Sequence, residues 1–77
     1  MDNYAFRNLA AAIVMQAYND YKHCAKIHKT YPEGSLIRKR AEAEMESIME
    51  FAEGSWYADL TDIPREQFIA KLKELEK

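Results

Sequence analysis

Tyr31-Pro32-Glu33-Gly34-Ser35 separates two long runs of helix-forming sequence. Proline cannot continue a helix and glycine tolerates a chain reversal, so the segment is a turn. The second break, Gly54-Ser55, ends the next run. Thr61-Asp62-Ile63-Pro64 opens the last one, with Thr61 or Asp62 as a capping oxygen and Pro64 in the first helical turn. The spacing predicts three helices, at roughly 4–30, 36–53 and 64–76.

Placing residues at 100° steps tests this division. In the first helix Phe6, Leu9, Ala10, Ile13, Ala17, Cys24, Ile27 and Tyr31 gather on one side as a core stripe. In the second, Ile37, Ala41, Met45, Ile48, Met49 and Ala52 do the same, with Glu42, Glu46, Glu50 and Glu53 opposite. In the third, Phe68, Ile69, Leu72 and Leu75 fall together, preceded by Leu60 or Ile63 as a hydrophobic staple. Short connections make neighbouring helices antiparallel. The expected fold is therefore all-α, an antiparallel helical hairpin with a short third C-terminal helix, in a single domain over residues 1–77.

The chain has 77 residues, of which 48% are hydrophobic and 31% charged, enough for one thin core. A core of this size yields about 3 to 5 kcal/mol, and small domains often supplement it with disulfides, a metal or self-association. One cysteine, Cys24, rules out an internal disulfide and leaves no thiolate cluster, so self-association is the remaining option. A formal charge of −2 offers no global positive field for phosphate backbones, which disfavours nucleic acid. Met1-Asp2-Asn3 has no basic leader character, and the apolar run from Leu9 to Val14 is too short for a membrane span. With the free cysteine, these features place the chain in the cytoplasm as an expectation.

Four features depart from a plain hairpin. Leu9 to Tyr18 is apolar almost all the way round, so Ala11, Met15, Tyr18 and Val14 are expected to stay uncovered and to form a partner-binding or self-association patch. Asp20 lies inside the apolar arc, where a carboxylate needs a donor such as a tyrosine hydroxyl, Trp56 or Arg38. Lys22, Lys26 and Lys29 share one face, flanked by His23 and His28, while Arg38, Lys39 and Arg40 crowd the start of the second helix against its dipole. An anion beside Arg38, Lys39 and Arg40, reached also by Lys22 and Lys26, would relieve that cost. Tyr18, Tyr21, Tyr31, Trp56 and Tyr57 surround these cations in sequence, as in nucleotide-gripping surfaces, but Trp56 fits better as the plug of the corner between helices.

Catalysis lacks its parts. His23 points about 100° away from Cys24 on the helix, and no glycine-rich loop offers an oxyanion site. No Glu-x-x-His or His-x-x-x-His spacing suggests a metal, and two glycines cannot build a phosphate loop. The expectation is no enzyme, no catalytic residue, no metal and no cofactor.

The stretch Asn8-Leu9-Ala10-Ala11-Ala12-Ile13-Val14-Met15-Gln16-Ala17-Tyr18-Asn19-Asp20-Tyr21-Lys22 resembles the opening helix of small uncharacterised proteins of phages and mobile elements of Gram-positive bacteria. Glu50-Phe51-Ala52-Glu53-Gly54-Ser55-Trp56-Tyr57-Ala58-Asp59-Leu60-Thr61-Asp62 resembles their closing pattern, although Ala52 and Gly54 stand where larger residues are expected. The resemblance implies a phage-type accessory protein working by binding in a host cytoplasm, in counter-defence. Such a protein would self-associate through its first helix and bind or occlude a host factor. One alternative is an oligomeric sponge for a cyclic nucleotide signal, with symmetry doubling the basic patch. Another is a nucleic-acid-binding accessory protein, which the glutamates after Arg38-Lys39-Arg40 oppose.

Overall fold

The computed structural model describes residues 3–77, with side chains from residue 9 onward; Tyr4 and Phe6 therefore lie outside the described side chains. Four helices follow one another: α1 (Asn3–Thr30), α2 (Leu36–Glu53), α3 (Ser55–Leu60) and α4 (Arg65–Leu75). No strand occurs among the described residues, and α1 and α2 pack together as an antiparallel hairpin. The fold is all-α.

The turn between α1 and α2 closes as its residues dictate. Gly34 has φ +90°, the value a type II turn demands at its third residue, and the Ser35 amide donates to the Pro32 carbonyl at 3.2 Å. Ser35 then caps α2, its Oγ accepting from the Arg38 amide at 3.2 Å.

At the far end the sequence reading needs one correction, since two short helices stand where one was expected. Gly54 adopts φ −83° and ψ 168°, which breaks the helix, and its carbonyl accepts from Arg65 Nη2 at 2.8 Å. A Cβ at Gly54 would meet the Glu50 carbonyl oxygen at 3.2 Å, so the tight corner has little room for a side chain. The start of α4 also differs: Pro64 is its N-cap, with no side-chain cap, and Thr61 Oγ1 instead accepts from the Ile63 amide.

The corner plug is Tyr57, not Trp56. Tyr57 is 1% exposed, stacks on Phe68 at 5.2 Å and meets Phe51 edge-on at 6.1 Å, whereas Trp56 is 72% exposed. Adjacent helical positions point about 100° apart, so α3 can bury just one of the two rings. Val14, Tyr21, Cys24, Ala25, Ala41, Met45, Ile48, Ala52, Tyr57, Phe68 and Leu72 form the core. Alanines at 25, 41 and 52 let the helix axes approach closely while Tyr21 and Phe68 supply the area.

α4 runs back along the hairpin on one side. Tyr21 donates to a Glu76 carboxylate oxygen at 2.6 Å, and Lys29 Nζ donates to the Leu75 carbonyl at 2.9 Å. The second contact places a cation against the carbonyl end of α4, where the helix dipole favours it.

Candidate protein-interaction face

With α4 occupying the flank of Tyr21, Met45 and Met49, the opposite flank of the hairpin is left without a third helix. Two shallow hollows run along it. One, of about 450 Å³, is lined by Asp20, His23, Cys24, Ile27, Ile37, Arg40, Ala41 and Glu44. The other, of about 250 Å³, is lined by Ile13, Gln16, Ala17, Asp20, Ser47, Ile48 and Phe51. They meet at Asp20 and make one groove between α1 and α2. Angular position explains the lining: Ile13, Ala17, Asp20, Cys24 and Ile27 recur at spacings of three and four, and so do Ile37, Arg40, Glu44, Ser47 and Phe51.

The groove keeps its apolar residues partly in water. Ile13 is 39% and Ile37 48% exposed, and Leu9, on the same side of α1, is 62% exposed. Ile13 and Leu9 had been expected in the core. Ala10 and Cys24 are buried as the stripe predicts, but Val14, Tyr21 and Ala25 join them in place of Leu9 and Ile13, because α4 covers the Tyr21 flank and draws the centre of α1 toward it.

The patch expected on α1 therefore divides. Val14 is buried, which corrects its assignment to a partner surface, and Tyr18 is half-buried against the core. Ala11 and Met15 remain exposed, Ala11 facing a hollow formed with residues 58–63. Met15 sits about 200° round the helix from Ile13, so the two belong to opposite flanks.

The basic residues do not converge either. Arg38 is drawn into its own turn: Nη1 donates to the Tyr31 carbonyl at 3.3 Å, Nη2 lies 3.2 Å from His28 Nε2, and Nε lies 3.8 Å from Glu42. Lys39 and Arg40 are exposed and diverge by about 100°. Lys22 and Lys26 are exposed on the outer side of α1, away from the groove that Arg40 lines. No anion site is assembled from these five residues in one chain.

Asp20 is half-buried at the junction of the hollows, where Gln16 Nε2 donates to it at 2.9 Å. Neither Trp56 nor Arg38 serves it. The Cys24 thiol beneath is buried, and burial first, then the charges of Glu44 and Asp20, push its pKa up. That environment favours the thiol over the nucleophilic thiolate. Among the described residues no group of three His, Cys, Asp or Glu side chains is placed to hold a metal, and no helix is long and apolar enough to cross a membrane.

Sequence reasoning missed Leu9, Ile13, Ile37 and Phe51 as interface candidates, since the first three match the core pattern and Phe51 falls outside the stripe read for the second helix. The missing information was which flank α4 covers. No protein-family model, no curated protein and no solved structure matches this chain.

Proposed function

We propose that this chain is a non-catalytic binding module that lays the open side of its α1–α2 hairpin against another helical surface, either associating with it or occluding it. The observation that carries the reading is the uncovered groove in which Ile13, Ile37 and Phe51 surround a polar centre of Asp20, Arg40 and Glu44, with exposed Leu9 one turn beyond Ile13. Its makeup, apolar at the ends with a few charged groups between, is that of a surface read by a helix lying along it. The raised pKa of Cys24 and the scattered histidines fit binding better than group transfer.

A photo-crosslinking side chain placed at Ser47, in the groove, is compared with one at Glu66, on exposed α4, in cells expressing the full chain. The proposal expects a discrete adduct from position 47 and none from 66. Adducts from 66 with none from 47 would refute it.

A further inference from the structure

We infer that the occupant of the open groove is a second copy of this chain, laid face to face and antiparallel, so that Arg40 of each copy meets Glu44 of the other. The inference rests on reading the groove as an interaction face. It goes further by fixing the partner and the register.

The argument is the order of charges along the groove. In α2, basic Arg40 lies one turn before acidic Glu44; in α1, His23 lies about one turn after acidic Asp20, and all four line the same hollow. The hairpin is antiparallel and Ile27 lies beside Ile37, so Arg40 and His23 stand toward the turn end and Asp20 and Glu44 toward the other. A two-fold axis crossing the groove between these levels reverses the direction of both helices. It sets α2 against α2 with Arg40 opposite Glu44, and α1 against α1 with His23 within one residue of Asp20. Each copy then presents what the other lacks, the self-complementarity that a two-fold interface requires.

The same axis also pairs the apolar residues. With its centre at position 42 of α2 and at the matching level, position 22, of α1, it brings Ile13 opposite Tyr31, Ala17 opposite Ile27, and Ile48 opposite Leu36 and next to Ile37. Leu36, Ile37, Ile13 and Tyr31 are exposed large apolar side chains, and this register covers all four. A parallel arrangement would instead place Arg40 beside Arg40 level and Glu44 beside Glu44 level, with like charges adjacent.

The surface is large enough. The open face from Ile13 to Tyr31 is about 27 Å long at about 1.5 Å per residue, and a helix pair is about 20 Å wide. Two copies would bury on the order of 1,000 Å², about the threshold for a biological interface and in the range of weak, transient ones. Among the described residues Arg40 and Glu44 form no ion pair within their own chain, so both are free to pair across the interface.

Sedimentation equilibrium on the full chain tests the register with Arg40→Glu, Glu44→Arg and the combined swap. Both sites are exposed, and circular dichroism checks that each variant remains folded. The expected result is a dimer whose dissociation constant rises about tenfold in either single variant and returns to within about threefold in the swap. A chain that is monomeric at about 1 mM, or a dimer indifferent to the single changes, overturns the inference. The crosslinker at Ser47 separates the two levels of the account. An adduct of twice the 9.0 kDa chain mass supports the second copy. A heavier adduct from a monomeric chain overturns the second copy while leaving the groove an interaction face, and no adduct at 47 removes both.

Discussion

Replacing Tyr57 by alanine should unfold most of the protein, whereas Trp56→Ala should leave it almost unchanged. Tyr57 is 1% exposed, and its ring is shared between Phe68 at 5.2 Å and Phe51 at 6.1 Å. Deleting a buried aromatic of this size costs about 3 to 5 kcal/mol, including the cavity and two aromatic contacts. A single core in so short a chain supplies about the same amount. Trp56, at 72% exposed, has little packing to lose, and its removal should cost no more than about 0.5 kcal/mol. Urea unfolding followed by far-ultraviolet circular dichroism measures both. Tyr57→Phe is the control: the hydroxyl is buried without a hydrogen-bond partner, so its loss should be neutral or stabilising by up to about 1 kcal/mol. A midpoint lowered more by Trp56→Ala than by Tyr57→Ala would refute this account of the corner.

The phenol pKa values of Tyr21 and Tyr57 are both raised, Tyr21 by burial, then by its hydrogen bond to Glu76 and that residue's charge, and Tyr57 by burial against a smaller opposing effect of Arg65. Above about pH 10 an unfolded chain would ionise where the folded one does not, so this contribution to stability is complete below pH 10 and is lost as pH rises. Ultraviolet titration should show Tyr21 and Tyr57 ionising later in the folded chain than in the urea-unfolded one, and equal titration in both states would contradict their burial. Gly34→Ala, at φ +90° with open space around the Cβ position, should cost about 1 kcal/mol by backbone strain alone, read from the urea midpoint. Cys24 should react with a disulfide reagent at pH 8 only as fast as the protein opens, with a rate that climbs in mild urea; rapid reaction in native buffer would show the thiol to be accessible.

How much of this was legible depends on the kind of residue involved. Pro32 and Gly34, Gly54 and Pro64 act locally, so the ends of α1, α2 and α4 follow from sequence alone. α3 does not, because six residues after a glycine are too few to show a period. Which of Trp56 and Tyr57 turns inward is set by the angle at which the chain leaves Gly54. In Leu9 to Tyr18 almost every position is apolar, so periodicity identifies a helix without fixing its rotation; the choice of Val14 over Ile13 was made by α4, through Tyr21 and Glu76. Arg38, Lys39 and Arg40 are alike in sequence, and Arg38 alone finds the Tyr31 carbonyl, His28 and Glu42 within reach.

Isoleucine methyl resonances provide the most direct check on the open face, since Ile13, Ile27, Ile37 and Ile48 line it while Ile69 lies within α4 and Ile63 just before that helix. On dilution from high concentration, the account predicts that the methyl shifts of Ile13 and Ile37 move together along one binding curve while Ile63 and Ile69 stay fixed. Movement of Ile63 or Ile69 with Ile13 and Ile37 unchanged would contradict it.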